Sequence, residues 1–105
     1  MMERKSLSAA RAFKRLLAKK LGPAQVIVFG SRARGDNQPD SDLDLCVIVE
    51  RMNRRTREII FDCAWEAGFS AGLVVVPVIF SREEIAGVMG ESLLYQTVER
   101  EGIRL

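Results

Sequence analysis

The sequence predicts an α/β (α+β) chain: a small mixed sheet of three strands, or slightly more, covered by helices in the order αβαβαβα. Three observations carry this expectation. Residues 24–29, 43–49 and 72–80 are short apolar runs rich in β-branched residues, as buried strands are. The segments between and around them place apolar residues three and four apart, the spacing of one helix face. Glycine, proline and polar clusters punctuate the chain at the junctions.

Taken in order, residues 3–21 are expected to be a helix. Ala9, Ala10, Phe13, Leu16, Leu17 and Leu21 fall on one stripe, and Arg4, Arg11, Arg15 and Lys19 on another. Gly22-Pro23 stops it, because proline cannot continue a helix. AQVIVF, 24–29, is the first strand. GSRARGDNQPDSD follows as a polar loop, and LDLCVIV, 43–49, is the second strand. A second helix is expected over 52–68, with Thr56, Ile59, Ile60, Cys63, Ala64 and Ala67 as its buried stripe and Gly68 as its stop. GLVVVPVIF, 72–80, is the third strand. Pro77 has no N–H for a ladder, so this strand belongs at an edge or is bulged there. Ser81 with Glu84 reads as a capping box for a short helix at about 82–88. A last helix covers 91–101 and ends at Gly102.

The length of 105 residues suits a single domain, 1–105. An apolar share of 48% and a charged share of 29% are those of a globular chain. No apolar run approaches the roughly 18 residues of a membrane span. The basic N-terminal segment lacks the apolar core of a secretory signal. A cytoplasmic location and no membrane partner are therefore expected. The chain has no histidine, which excludes histidine catalysis and imidazole zinc sites. Cys46 and Cys63 lie in apolar segments and read as small buried hydrophobes. Net charge is only +2 but is unevenly placed, from +6 over residues 1–20 to −5 over 58–105. The basic segment reads as the solvated face of a helix. It has no interleaved aromatics, so a nucleic-acid partner is not expected. The sequence is compatible with a homo-oligomer.

The loop between the first two strands carries the chemistry. Gly30-Ser31 follow a buried strand at once. Glycine lets an anion approach the backbone, and a hydroxyl with exposed amides can donate to phosphate oxygens. Arg32 and Arg34 add positive charge beside them. This is not a Walker A loop, since GxxxxGK[ST] is absent. Arg34-Gly35-Asp36 is read as a coincidental tripeptide. Asp42 and Asp44 open the next strand one residue apart, so the period of two points both carboxylates to one face. Such a pair is either a solvated strand edge or a site for a divalent cation, for which carboxylate oxygens suit Mg²⁺. Together the two halves pair a phosphate cradle with metal-binding acids, as phosphoryl and nucleotidyl transfer require.

The run VFGSRARGDNQPDSDLDLCVIV resembles the DNA polymerase beta-like nucleotidyltransferase superfamily, whose signature is a strand, GS, about a dozen residues, and DxD. It is most similar to the minimal nucleotidyltransferase branch, small proteins often encoded beside a HEPN-domain partner as the antitoxin of a toxin–antitoxin pair. The resemblance implies the nucleotidyltransferase fold. It implies an NTP, ATP foremost, held by Gly30, Ser31, Arg32 and Arg34, and Mg²⁺ or Mn²⁺ held by the catalytic carboxylates Asp42 and Asp44. It implies transfer of a nucleoside monophosphate, AMP from ATP, to a hydroxyl of a partner protein. One departure stands out. The family's third carboxylate lies on the third strand, and the matching position here falls near Val76. Glu66, Glu83 and Glu84 are the only acids near it in sequence that could act instead. With that base missing, the same fold could equally serve as a catalytically impaired binder of nucleotide or of a HEPN-type toxin.

Overall fold

The computed structural model describes residues 2–105. Helix α1 (Arg4–Lys20) leads into β1 (Gln25–Phe29). A single helical turn, α2 (Ser31–Arg34), and a loop connect β1 to β2 (Leu43–Val49). Helix α3 (Arg54–Ala71) crosses to β3 (Val75–Ser81). The chain continues through α4 (Arg82–Ala86), a 3₁₀ turn at Val88–Glu91, α5 (Leu93–Glu101) and β4 (Ile103–Arg104). The strands form one mixed sheet in the order β3-β2-β1-β4, with β2 parallel to β3 and both β2 and β4 antiparallel to β1.

The period of two divides β2 cleanly. Leu43, Leu45, Val47 and Val49 join Val26 and Val28 of β1 under α1 and α3, with Phe13, Leu17, Ile60 and Ala64 closing that core. Cys46 and Ile48 face the other way, with Ile27, Phe29 and Phe80, and are covered by Val98 of α5 and by Ile85 and Tyr95. β2 is therefore buried on both faces, and each large side chain there contributes about 1.5–3 kcal/mol by leaving water. Both cysteines are buried and free, and burial pushes the Cys46 thiol up to about 12. Among the described residues no helix is long and apolar enough to cross a membrane.

Several expectations are corrected. The stretch 30–42 is not all loop, since Ser31–Arg34 make one helical turn. The fourth strand, Ile103–Arg104, was not expected; Gly102 lies so close to Ile27 and Val28 that the chain end falls into register with β1. The second helix does not stop at Gly68. It runs to Ala71 and ends at Gly72, whose φ of 70° is the left-handed conformation glycine adopts without strain. Gly68 serves packing instead: a Cβ there would stand 2.5 Å from the Leu73 carbonyl oxygen. The third strand starts at Val75 rather than 72 and lies at the sheet edge, as Pro77 required. The capping box at Ser81 and Glu84 forms with both hydrogen bonds, at 2.9 and 3.1 Å.

The two glycines should respond differently to substitution. Gly72→Ala meets only the Lys5 ammonium, 3.9 Å away at ordinary contact distance, and loses about 1 kcal/mol through its positive φ. Gly68→Ala gains helix propensity of up to about 1 kcal/mol, yet it should cost more, because the new methyl meets fixed backbone. Urea denaturation of both variants measures the order.

Candidate functional site

β1 hands the chain to the site through Gly30. Its φ of 77° and ψ of −161° suit glycine alone among the common residues. The constraint is double, because a Cβ there would overlap Oδ2 of Asp44 and stand 3.3 Å from its Cγ. Ser31 then opens α2, and its hydroxyl has no hydrogen-bond partner among the described residues. The first amides of any helix lack intrahelical acceptors, so this turn offers donors beside the Ser31 hydroxyl.

Asp42 precedes β2 and Asp44 is its second residue. Asp42 is exposed and Asp44 half-buried. Neither carboxylate has a hydrogen bond or ion pair with any described residue. Asp44 is held above the usual carboxylate range, first by burial and second by the charge of Asp42, with Arg34 opposing.

Arg34 lies at the rim of the same end. It pairs with Asp36 at 3.1 Å and with Glu101 of α5 at 3.7 Å, and is 46% exposed. Both partners are solvent-accessible, so the side chain is free to exchange them for a phosphate.

Arg32 is the correction. It was expected beside the phosphates and instead points into the protein, 1% exposed. Its guanidinium donates to the Ser41 carbonyl at 2.9 Å, the Pro39 carbonyl at 3.1 Å, Ser6 Oγ at 3.0 Å and the Glu3 carboxylate. It thus ties the 35–42 loop to the start of α1 and sets where Asp42 leaves the loop. α2 turns successive residues about 100° apart, so Arg32 and Arg34 cannot face the same way.

The strand register puts Phe29, Asp44 and Val76 side by side. Parallel neighbours share a face, so Val76 stands where a third carboxylate would join the pair. The three glutamates weighed as substitutes lie elsewhere. Glu66 faces Arg15, Leu16 and Lys19 between α3 and α1. Glu83 and Glu84 follow Ser81, which pairs with Val49, five residues or about 16 Å along the strand from Asp44. Glu84 is also spent on its capping box. Among the described residues no third His, Cys, Asp or Glu completes a metal cluster. Two carboxylates still fit a hard divalent cation, because Mg²⁺ is commonly held by one or two carboxylates plus the substrate's phosphates.

One surface on α3 was missed in the sequence. Phe61, Trp65 and Phe69 are exposed along the outer flank of α3. Their spacing of four, off the buried stripe, was the available signal.

A mixed sheet whose first strand runs into Gly-Ser and whose second opens on paired aspartates defines a nucleotidyltransferase-type domain. The family model for the nucleotidyltransferase domain matches residues 10–104, and the chain belongs to that family. Among solved structures, the chain is similar to a crystal structure of a toxin-antitoxin with AMP-PNP, at 19% identity and a TM-score of 0.66, over 90% of this chain and 70% of that one. It is also similar to a putative nucleotidyltransferase from Sulfolobus solfataricus, at 18% identity and a TM-score of 0.51, over 97% and 86% of the two chains. At these identities the likeness establishes the fold. No curated protein matches.

Two outcomes follow from the geometry. Arg32→Met should lower stability by about 3 kcal/mol, since it removes a buried guanidinium and leaves the Ser41 and Pro39 carbonyls and Ser6 without their donor, whereas Arg34→Met should stay within about 0.5 kcal/mol. Chemical denaturation separates them. For Asp44, a folded pKa above the unfolded one means the folded state binds more protons. This residue's contribution to stability is therefore best below the unfolded value, falls as pH rises through the raised one, and is a full penalty at neutral pH. Without metal, Asp44→Asn should melt higher than the parent at pH 7, with the difference shrinking toward acid; melting curves across pH measure it.

Proposed function

We propose that this protein binds an NTP, ATP foremost, with Mg²⁺ or Mn²⁺, and transfers AMP to a hydroxyl of a partner protein, as the antitoxin of a toxin–antitoxin pair with a HEPN-type partner. The observation that carries this reading is the pair Asp42–Asp44: two neighbouring carboxylates with no protein partner, set against the Gly30–Ser31 turn. The likeness to a toxin-antitoxin bound to AMP-PNP supports the nucleotide and the partner.

In this reading each residue has a distinct task. Gly30, lacking a side chain, lets the β- and γ-phosphates reach the backbone, while the Ser31 hydroxyl and the α2 amides donate to their oxygens. Arg34 leaves Asp36 for the phosphates. Asp42 and Asp44 hold the cation, which when bound neutralises the triphosphate and favours a deprotonated acceptor. The acceptor oxygen bonds to the α-phosphorus, pyrophosphate leaves, and the hydroxyl proton must go to a base. This chain offers none at Val76.

That valine favours a second reading, in which the chain binds nucleotide and partner and transfers slowly. A positioned base contributes about 10²–10⁴-fold, while phosphate positioning and charge act without it. Labelled ATP, Mg²⁺ and the co-produced partner should give slow labelling of the partner. Val76→Asp should accelerate it by about 10²-fold or more, because Val76 is only half-buried and shares the face of Asp44. No labelling with either chain would leave binding as the whole activity.

A further inference from the structure

Helix α1 carries seven basic residues and no acid. Lys14 donates to the Leu105 carbonyl at 2.5 Å, and none of the other six forms an ion pair with a described residue. Between α1 and β4 runs a groove of about 560 Å³. Leu7, Ala18, Ile103 and Leu105 make its apolar lining, and Arg11, Lys14, Arg15 and Arg104 its charged lining. Leu7, Arg11, Lys14 and Ala18 follow one another at helical spacing, so they form a single straight wall along α1, about 16 Å long. Across from it Ile103 is 37% exposed.

The acids nearest this wall leave it positive. None lines the groove. Glu99 answers Arg104 at 3.2 Å, and Glu66 of α3 shares a separate hollow with Arg15 and Lys19 without closing to an ion pair. Arg11, Arg15 and Lys19 stand four residues apart, a spacing at which like charges destabilise a helix. An anionic partner relieves that repulsion. The apolar half of the lining then selects among anions. A nucleic acid brings phosphates but finds no aromatic side chain here on which to stack a base. β4 is two residues long and offers an added strand few backbone bonds. A helix matches the straight wall of α1, with apolar side chains for Leu7, Ile103 and Leu105 and acids for the arginines.

We propose that the groove between α1 and β4 docks an amphipathic helix of a partner protein, its apolar stripe flanked by aspartate and glutamate. The helix lies along α1, with its stripe on Leu7, Ala18, Ile103 and Leu105 and its acids toward Arg11 and Arg15. None of Gly30, Ser31, Asp42 or Asp44 lines this groove, so the inference does not rest on nucleotide transfer. A chain that only binds its partner would use the surface equally.

The probes are two dye-labelled synthetic helical peptides of about 18 residues, some five turns, with the same leucine stripe and either Asp/Glu or Lys/Arg flanks. Fluorescence anisotropy against the full chain should show the acidic peptide binding saturably, about tenfold or more tighter than the basic one. The gap should close at about 1 M salt, where the screening length is about 3 Å. The double variant Arg11→Glu, Arg15→Glu should invert the preference. Both positions are exposed, so it should keep the parent's melting curve. Ile103→Ser should weaken the acidic peptide about tenfold, because the apolar stripe loses its contact. Should that variant melt below the parent, Ala18→Gln, exposed on the opposite wall, reads the same contact. Equal binding of the two peptides, an unchanged preference in the double variant, or no effect of the apolar substitutions would overturn the proposal. So would a single-stranded DNA of equal charge that binds as tightly as the acidic peptide, since the wall would then be a general polyanion site. The melting shift with MgATP, measured on the same samples, belongs to the nucleotide site. Its loss with docking intact counts against the nucleotide reading, and the reverse against the groove.

Discussion

Phe29, Asp44 and Val76 sit side by side on three neighbouring strands, and the rest of the site depends on that row. Because β1 ends at Phe29, Gly30 must turn directly over the Asp44 carboxylate, and only a residue without a Cβ can do so. Because β2 is buried on both faces beyond Asp44, its register cannot slip by one without turning Leu45 and Val47 out of their core. The carboxylate pair is therefore fixed by packing rather than by partners of its own. The stability of the two cores holds two like charges together where half-burial penalises ionisation.

Arg32 shows how the loop is made to agree with that register. Its buried guanidinium gathers two loop carbonyls, a serine and a glutamate from the start of α1. Ten residues separate Ser31 from Asp42, enough for many loop paths, and this one clamp selects among them. Burying a guanidinium costs desolvation that its hydrogen bonds must offset, so its value lies in specifying one geometry.

How much of this was legible in the sequence depended on the range of the forces involved. The limits of β2 could be read because alternation is local and both faces are apolar. The edge position of β3 could be read from Pro77, and the capping box from Ser81 and Glu84, since each rests on a single residue's chemistry. β4 gave no signal, because two residues held only by a ladder to β1 carry no periodicity. Gly68 and Gly72 looked alike as helix stops until tertiary contact told a packing glycine from a left-handed one. Gly30, Ser31, Asp42 and Asp44 were visible as a motif, and the fold sets Gly30 against Asp44. Arg32 was misassigned because its partners lie as far away as Glu3, and no local pattern shows which way one turn of helix will point.

The central claim is that Asp42 and Asp44 are left without protein partners so that they can hold a cation brought with a nucleotide. The most direct measurement is the melting temperature with and without MgATP, on the parent chain and on the double variant Asp42→Asn, Asp44→Asn. The account predicts a clear rise for the parent, which at a ligand concentration a hundredfold above Kd corresponds to about 2.7 kcal/mol, and none for the variant. An equal rise in both would contradict it, placing the nucleotide away from the paired carboxylates.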